Sequence, residues 1–368
     1  MNIVCDKTLL SAAIDGVSKA VTMRSSIPVL EGILLKAEGF QLTLTGYDLE
    51  MGIVTTIEAN IKEPGEIVLN AKLLSSMISR MPAGQISIVA ADNGKTTIQS
   101  GVAQFEIQSM PATDFPDLPN TGAEQTLTIK TGVLRDMIDR TLYAVSQDEK
   151  KPAHTGELFE IELDKLTIVA LDGYRLAIVE RPITAVKDIR IIVPSKTMTE
   201  VSHLLANDDE EDVHISANRR YVVFTTAGYT IMSRLIEGEF LNYRNVTPAG
   251  SRTRVTIDTK DFISTIERAS LIITERLKNP LRISFTEGKV VVRCQTNLGR
   301  VVDEFSAACE GDEVEIGFNN RYLLDALRNA RTEQVRMEIS GPLSPVKVLP
   351  VEGNDFLYLV LPVRFKND

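Results

Sequence analysis

The feature that most constrains this chain is a short segment that occurs three times at even spacing. Residues 42–53, "LTLTGYDLEMGI", have the pattern of two short strands around a polar turn. A similar segment fills 166–179, and a fainter copy begins at Val290. The first residues, Leu42, Leu166 and Val290, are 124 residues apart each time. Because this period exceeds the roughly 20–50 residues of solenoid repeats, we expect three whole domains in a row.

Each copy is predicted to run helix, strands, helix, strands. Apolar residues at helical spacing, after a Thr or Asp that can cap, predict the first helices at 6–21, 130–145 and 258–273. A second strand and helix are predicted at 65–81, 188–205 and 312–330. Alternating apolar and polar runs between them are typical of antiparallel hairpins. The predicted fold class is α+β, with two helices packed on antiparallel sheets in each of three tandem domains.

Turn-forming and polar residues gather at 120–125 and at 247–254 and predict the domain boundaries. The predicted domains are therefore 1–122, 123–250 and 251–368. A chain of 368 residues with 43% hydrophobic content has enough apolar residues to give each domain its own core.

Composition excludes some classes of protein and lowers the expectation for others. No apolar run reaches the roughly 18 residues of a membrane span, and the N-terminus lacks the pattern of a signal peptide, so we expect a cytoplasmic protein. Cys5, Cys294 and Cys309 are odd in number and far apart, which favours reduced thiols. The net charge of −10 argues against a nucleic-acid partner, but it averages over all faces and leaves room for one basic surface.

The sequence offers no catalytic or metal-binding constellation. His154, His203 and His214 do not have the spacing of metal ligands. We therefore expect no catalytic residue, no metal and no cofactor.

Two segments that could suggest ligand binding have simpler interpretations. "NGKTT" (93–97) would need a glycine at 89 to form a phosphate loop, and Val89 stands there, so a hairpin turn at 92–94 is favoured. The acidic run 208–212 lacks the glycine-punctuated alternation of a calcium loop and is interpreted as a solvated connector.

Three basic residues occupy the same place in the three copies. Lys72, Lys196 and Arg321, separated by 124 and 125 residues, fall near the start of each second helix. A cation there opposes the helix macrodipole, so helix stability does not explain the three matches. A helix N-terminus with a basic side chain suits a phosphate oxygen instead. The alternative is a chance coincidence of common surface residues.

Three like domains suggest assembly around an axis. Homo-oligomers favour closed symmetry, most often a two-fold dimer, and head-to-tail contact of first and last domains would give a six-domain ring. The apolar residues that could supply this contact are Phe105, Ile107, Leu271 and Ile272. The alternative is that these residues belong to the core.

Taken with the repeat, several motifs resemble one known family. They are "GYDLEM" and "PATDFPDLP" in the first copy, "LDGYRLA" and "EGEFLNYRNVTP" in the second, and the terminal "YLVLPVR". In this order and spacing they are similar to the bacterial DNA polymerase III beta subunit, the sliding clamp family. The resemblance covers essentially the whole chain.

The resemblance implies a non-catalytic homodimeric ring around duplex DNA. It implies loading by an ATP-driven clamp loader, and it implies tethering of the replicative polymerase alpha subunit and repair factors through QLxLF-type peptides. A ring can hold DNA by enclosing it, which reconciles an acidic chain with DNA. The runner-up from another class is a monomeric scaffold that recruits partners without enclosing DNA. The three matched cations would have no purpose in that scaffold.

The resemblance also implies site residues. DNA contacts would involve Arg24, Gln147, Lys150, Lys151 and Lys196, to which the repeat adds Lys72 and Arg321. The implied partner-peptide pocket comprises His154, Thr155, Leu171, Gly173, Tyr174, Arg175, Leu176, Leu241, Asn245, Val246, Asn319, Tyr322, Val346, Leu359, Leu361, Pro362, Val363 and Arg364. Leu171 stands where the family usually has Thr or Ser, and His154 where it usually has an aliphatic residue. The residues 366–368 extend past the family's usual end.

Overall fold

The computed structural model describes residues 1–122, 124–184, 187–206, 210–274 and 279–365. The first repeat contains β1 (Asn2–Asp6), α1 (Lys7–Ser18), β2 (Gly32–Glu38), β3 (Gln41–Tyr47), β4 (Met51–Glu58), β5 (Asn60–Glu63), β6 (Gly65–Asn70), α2 (Ala71–Arg80), β7 (Gln85–Ala90), β8 (Lys95–Ser100) and β9 (Ala103–Gln108). The second contains β10 (Glu124–Lys130), α3 (Thr131–Asp139), β11 (Gly156–Glu162), β12 (Lys165–Leu171), β13 (Arg175–Pro182), β14 (Ile189–Pro194), α4 (Ser195–Leu204), β15 (Asp212–Ala217), β16 (Tyr221–Thr225) and β17 (Tyr229–Arg234). The third contains β18 (Thr253–Asp258), α5 (Thr259–Ser270), β19 (Leu281–Thr286), β20 (Lys289–Thr296), β21 (Gly299–Ser306), β22 (Ala308–Gly311), β23 (Val314–Phe318), α6 (Asn320–Ala330), β24 (Gln334–Ile339), β25 (Val346–Pro350) and β26 (Phe356–Val360).

The caps anticipated from sequence start two of the first helices. The Asp6 carboxylate accepts hydrogen bonds from the backbone N–H groups of Thr8 (2.7 Å) and Leu9 (3.2 Å) at the start of α1. Asp258 accepts one from Asp261 N–H (3.0 Å) at the start of α5. Such bonds satisfy donors that have no partner within the helix.

The helix predicted over 130–145 is shorter than expected. α3 ends at Asp139, and a 3₁₀ turn follows at Leu142–Ala144. The Thr141 hydroxyl lies 2.9 Å from the Met137 carbonyl oxygen and 3.1 Å from that of Ile138. This side chain thus provides a partner for carbonyl groups that the end of a helix leaves free.

The chain folds into two compact units, each built on one long and one short antiparallel sheet. The first unit comprises 1–133 with 199–235, and the second comprises 134–198 with 236–368. The first unit contains a five-stranded sheet, β5-β1-β7-β8-β9, and an eight-stranded sheet, β10-β15-β16-β17-β4-β3-β2-β6. The second contains a nine-stranded sheet, β14-β11-β12-β13-β26-β25-β24-β18-β22, and a four-stranded sheet, β21-β20-β19-β23.

Both long sheets combine strands of neighbouring repeats, a feature that the sequence pattern did not predict. In the first unit β17 pairs with β4, with Ile231 opposite Ile53. In the second unit β26 pairs with β13, with Tyr358 opposite Ala177. The repeats are therefore joined by continuous backbone hydrogen bonding as well as by loops.

Helices pack on these long sheets, with α1 on β3 and β4 and α6 on β25 and β26. Gly16 of α1 shows how close this packing is. A Cβ atom at Gly16 would lie 2.5 Å from Cε1 of Tyr229 on β17, so any other residue would require this ring to move. The Tyr229 hydroxyl donates to the Ala12 carbonyl oxygen (3.2 Å). Glycine at this position therefore lets an aromatic ring from the second repeat pack against the first helix.

Candidate functional site

The three matched cations occupy one structural position. Lys72, Lys196 and Arg321 are each the second residue of their helix, α2, α4 and α6, and all three are exposed. The Asn319 side chain caps α6 by accepting from Arg321 N–H (3.0 Å). Asn70 caps α2 in the same way through the N–H of residue 73 (3.0 Å). All three basic side chains therefore lie at helix N-termini, where backbone and side chain both favour an anion, and the N-termini that carry Lys72 and Arg321 are capped.

The other predicted DNA-contact residues lie in two exposed loops. Arg24 lies between α1 and the 3₁₀ turn at Pro28–Glu31. The remaining three, Gln147, Lys150 and Lys151, lie together between the 3₁₀ turns Leu142–Ala144 and Pro152–His154. In that loop the Asp148 carboxylate accepts from Lys150 N–H (3.1 Å), and its carbonyl oxygen accepts from Lys151 N–H (3.0 Å).

Several predicted pocket residues form an apolar row on the nine-stranded sheet. Leu171 lies opposite Leu176, and Leu176 lies opposite Leu359, so the three side chains share one face. All three are buried, in a cluster that includes Phe240 and Tyr243 from the segment after β17. They can form the floor of a docking surface. The rim must come from more exposed neighbours.

The Asp172–Arg175 turn lies beside this row, between Leu171 and Leu176. The Asp172 carboxylate accepts from the N–H groups of Tyr174 (2.8 Å) and Arg175 (3.0 Å). Gly173 has φ +91°, a backbone conformation that favours glycine. Tyr174 is 61% exposed at the tip of this turn.

Arg175 is held in place by groups from three elements. Its Nε donates to Asp172 (3.0 Å), and its Nη1 donates to Asp325 of α6. Its guanidinium lies 4.8 Å from the ring centroid of Tyr322 and 5.3 Å from that of Tyr143.

Tyr322 in turn supports the exposed ring of Tyr174. The two rings stack with centroids 5.8 Å apart and an interplanar angle of 21°. Burial raises the pKa of the Tyr322 hydroxyl, so this ring stays neutral. This arrangement indicates that Arg175 and Tyr322 hold the Tyr174 ring in position. The ring of Tyr174 is the exposed aromatic surface.

His154 borders the apolar row from another side. Its ring packs against Phe240 at a centroid distance of 5.7 Å and an angle of 69°. Burial, and then the charge of Lys151, lowers the pKa of His154, so a neutral imidazole is expected at pH 7. Thr155 directs its hydroxyl to the Pro152 carbonyl oxygen (2.8 Å). Leu241, Asn245 and Val246 are exposed in the nearby segment.

The C-terminal segment differs from its predicted form. The apolar run "YLVLPV" in the sequence allows an alternative interpretation as an edge strand with core-facing residues, and this interpretation is wrong, because β26 ends at Val360 and lies between β13 and β25. Beyond β26, Leu361 N–H donates to the Tyr174 carbonyl oxygen (2.9 Å), and Val363 N–H donates to that of Gly317 (2.8 Å). Leu361 and Pro362 are half-buried, and Val363 and Arg364 are exposed. Residues 366–368 lie outside the described residues.

One predicted pocket residue does not reach this surface. Val346 is fully buried and pairs with Val360, whereas the next residue, Lys347, pairs with Leu359. Alternation along a strand therefore puts Val346 on the face opposite to Leu359. Asn319 is half-buried and serves as the N-cap of α6.

The proposed dimer residues lie at exposed places. Phe105, 40% exposed, and Ile107 share one face of β9, which is an edge strand. Leu271, 81% exposed, ends α5, and Ile272 beside it is half-buried. The interpretation of Phe105 and Leu271 as core residues is wrong.

Strand β21, which overlaps the end of the faint third copy of the repeated segment, also forms an edge of its sheet.

The structure describes the turn at 92–94 and part of the acidic run 208–212. The turn at 92–94 is confirmed, with Gly94 at φ +79° between β7 and β8. Asp212, from the acidic run, pairs with Lys130 (3.0 Å), whereas Asp208 and Asp209 lie outside the described residues. Among the described residues, no group of three or more His, Cys, Asp and Glu side chains could hold a metal ion.

Within the described ranges, no helix is both long enough and apolar enough to cross a membrane.

Comparison with known proteins covers nearly the whole chain. Families described as the N-terminal, central and C-terminal domains of the DNA polymerase III beta subunit match residues 1–119, 128–242 and 244–364. The beta sliding clamp of Halalkalibacterium halodurans is 31% identical, over 99% of this chain and 100% of that protein.

Solved structures give the same result. The crystal structure of the DNA polymerase sliding clamp from Bacillus subtilis has a TM-score of 0.96 at 29% identity, over 100% of both chains. A sliding clamp from Pseudomonas aeruginosa bound to griselimycin has a TM-score of 0.94 at 30% identity, over 99% of this chain and 100% of that one. The chain, with its three tandem α+β clamp domains, therefore belongs to the family of DNA polymerase III beta subunits, the non-catalytic DNA sliding clamps that confer processivity in replication.

Proposed function

We propose that two copies of this chain join head to tail into a ring that encloses duplex DNA without sequence preference. The ring would consist of three domains from each copy, bounded at 1–122, 123–250 and 251–368. It would be opened and closed by an ATP-driven clamp loader, and it would act in the cytoplasm. The observation that carries this proposal is the recurrence of one exposed cation at the second position of α2, α4 and α6.

These cations suit a DNA-facing surface better than a structural role. Positive charge at a helix N-terminus is unfavourable for the helix by a few tenths of a kcal/mol, so three occurrences need another reason. A phosphate would be contacted by the basic side chain and by the helix N-terminus together. The exposed loop residues Arg24, Gln147, Lys150 and Lys151 would add contacts to the DNA backbone.

Enclosure also explains how a chain of net charge −10 can be retained on DNA. A protein that binds by phosphate contacts alone needs many cations, and its affinity falls steeply with salt. A closed ring is retained by its topology, so a few cations are enough and sliding remains possible.

Reversing the three charges is predicted to impair loading. We expect a variant with Lys72→Glu, Lys196→Glu and Arg321→Glu to be loaded on nicked circular DNA about tenfold less, because three phosphate contacts become repulsive in each chain. The measurement is the amount of clamp that co-elutes with DNA in gel filtration after incubation with loader and ATP.

The matched control carries Lys36→Glu, Lys165→Glu and Lys289→Glu, which change the net charge equally at exposed positions on strands. It should load like the wild type. Equal losses in the two variants would contradict the assignment of the helix N-termini to DNA.

We further propose that partner proteins dock on the surface around the Leu171–Leu176–Leu359 row. The buried leucines would form its floor, while Tyr174, Leu241, Val246 and the 361–364 segment would form its rim. An apolar floor with aromatic and aliphatic edges suits a short peptide with Leu and Phe anchors, as in the QLxLF type. The polymerase alpha subunit and repair factors would be tethered in this way.

Charged substitutions on this rim are predicted to weaken peptide binding. We expect Val246→Glu and Val363→Glu each to raise the Kd for a QLxLF-type peptide by at least about tenfold, because a carboxylate would be desolvated beside the apolar anchors. Fluorescence anisotropy with a labelled peptide measures this effect.

Val351→Glu is the control, since Val351 and Val363 are both 37% exposed and Val351 lies at the far end of β25. Its Kd should match the wild type. Undiminished binding by both rim variants would overturn the assignment.

A further inference from the structure

The chain continues past β26 onto the edge of a second sheet. Within the second compact unit, β23 forms one edge of the four-stranded sheet β21-β20-β19-β23. Beyond β26, the N–H of Val363 donates to the Gly317 carbonyl oxygen of β23 (2.8 Å). The tail segment, residues 361–365, therefore connects the nine-stranded sheet, through β26, with an edge strand of the four-stranded sheet.

Gly317 provides the space in which the tail segment lies. It is buried, and a Cβ atom at this position would overlap the Val363 carbonyl oxygen and lie 2.9 Å from Cε1 of Phe365. The φ angle of Gly317 is not in the left-handed region, so the backbone of β23 would itself accept alanine. The close approach of the tail segment is thus the reason for a glycine here.

Phe365 is held by a cation on the neighbouring strand. Its half-buried ring lies over the Arg282 guanidinium, whose Cζ is 4.1 Å from the ring centroid. Arg282 of β19 lies directly opposite Gly317, so the ring and the Val363 backbone occupy adjoining places on the sheet. Glu315 Oε1 lies 3.8 Å from Arg282 Nη1 and favours this orientation of the guanidinium. A guanidinium over an aromatic face is a favourable contact.

We propose that Arg282, Gly317 and Phe365 form a tail support that positions Val363 and Arg364 at the rim of the partner-docking surface. This inference rests on the proposed docking of partner peptides and adds residues that act on it from outside the surface. They are positioning residues, since they contact the tail segment rather than the peptide.

The tail support matters because this part of the rim is short and exposed. Val363 and Arg364 are exposed, and both lie outside any regular strand. Ordering such a segment costs conformational entropy for every residue. A peptide that finds the rim already ordered does not have to supply that cost from its own binding energy. The contact of Phe365 with Arg282 is therefore expected to set the affinity for the peptide.

Arg293 is a matched comparison for Arg282. The two arginines lie opposite each other on β20 and β19, and their side chains are 40% and 38% exposed. Arg293 Nη1 lies 3.0 Å from the Ser284 hydroxyl and 3.5 Å from the Glu315 carboxylate. Both arginines thus share the acidic partner Glu315, and Arg282 in addition contacts Phe365.

The first measurement is hydrogen exchange, followed by mass spectrometry of the C-terminal peptic fragment of the full chain. Because the Val363 amide hydrogen is bonded to Gly317, it should exchange slowly in the wild type. We expect exchange at least about fivefold faster in Arg282→Ala and in Gly317→Ala, since both release the tail segment. Urea unfolding shows whether each variant keeps the fold.

The second measurement is the Kd for a labelled QLxLF-type peptide, by fluorescence anisotropy. Arg282→Ala should raise the Kd about threefold, because a partly exposed cation–π contact is lost. Gly317→Ala should raise it about tenfold, because the added methyl group displaces the tail segment. Arg282→Ala alone decides the matter if Gly317→Ala does not fold.

Three control variants should behave like the wild type in both measurements. Arg282→Lys keeps a cation over the Phe365 ring, so recovery of both values ties the effect to that contact. Arg293→Ala removes an equally exposed arginine from the same sheet. Gly228→Ala adds a methyl group where a Cβ atom would meet nothing within 4 Å.

The tail support and the docking surface can fail separately. Faster exchange together with a raised Kd in Arg282→Ala, and in neither Arg282→Lys nor Arg293→Ala, supports the tail support. Unchanged exchange in Arg282→Ala, faster exchange with an unchanged Kd, or an equal loss in Arg293→Ala would overturn it and leave the docking surface in place. A wild type that does not bind the peptide would overturn the docking surface itself.

Discussion

Replacing Arg140 by alanine is expected to lower the free energy of unfolding by about 3 kcal/mol. The Arg140 side chain is buried, and its Nε and Nη2 donate to the carbonyl oxygens of Asn329 (3.2 Å) and Ala330 (2.6 Å) at the end of α6. Its Nη1 lies 3.4 Å from Asp136, and its guanidinium lies 4.7 Å from the ring centroid of Phe356. The substitution would remove the partner of two helix-terminal carbonyl groups and leave a cavity.

The measurement is urea unfolding followed by circular dichroism. Arg328→Ala is the control, because Arg328 of α6 forms an ion pair with Glu267 of α5 (2.7 Å) and both side chains are half exposed. Exposed pairs contribute little, so less than about 0.5 kcal/mol should be lost. If the two variants lost the same stability, the buried guanidinium would not be the link between the second and third repeats that its contacts indicate.

Replacing Thr141 and Glu157 together by valine and isoleucine is expected to stabilise the protein, most strongly at high pH. Glu157 is fully buried, and its Oε1 lies 2.6 Å from the Thr141 hydroxyl. At the same places the first repeat has Val17 and Ile33, both fully buried. The second repeat thus holds a polar pair where the first holds an apolar one.

Burial keeps Glu157 protonated near neutral pH. The Thr141 hydroxyl donates to Glu157 Oε1 (2.6 Å) and also lies 2.9 Å from the Met137 carbonyl oxygen. Burial is the main cause that raises the pKa of Glu157 from 4.5 to about 8. The hydrogen bond from Thr141 opposes this shift, and the charge of Asp139 adds to it. Oε2 of Glu157 has no hydrogen-bond partner within the described chain.

The pH dependence follows from this shift. Between pH 4.5 and about pH 8 the folded chain keeps a proton that the unfolded chain has released. The contribution of Glu157 to the free energy of unfolding is therefore greatest below pH 4.5, falls as pH rises through this window by roughly 3–5 kcal/mol, and is constant above it.

The double variant should lack this part of the pH dependence. Other groups titrate alike in both proteins, so the difference in urea midpoint between variant and wild type should widen from pH 5 to pH 9. A difference that stays constant over this range would show that Glu157 does not titrate as its surroundings indicate.

Sequence periodicity predicted the helices well but could not predict which distant strands meet. The starts of α1, α2, α5 and α6 carry a capping residue and apolar spacing within a few residues of each other, and these helices follow from that local pattern. The pairing of Ile178 with Leu357 joins strands from separate repeats, and nothing local in either strand specifies its partner. For this reason the position of β26 in the middle of its sheet could not be predicted.

The candidate site was predictable to a similar degree. The place of Lys72, Lys196 and Arg321 followed from spacing alone. The roles of the pocket residues could not be predicted in this way. Both faces of β25 are buried, so its apolar sequence does not show which face Val346 occupies. Arg175 looks like a ligand-binding residue in sequence, whereas its partner Asp325 lies 150 residues away and holds it in the turn.

Enclosure of DNA by the ring is tested by following loaded protein when a DNA circle is cut. Clamp is loaded on a nicked circular plasmid, separated from free protein by gel filtration at moderate salt, and then treated with an enzyme that cuts the plasmid once. Enclosure predicts that the protein stays on the circle and leaves the linear molecule by sliding off its ends. Retention that is equal on circular and linear DNA would contradict a ring that holds DNA by topology.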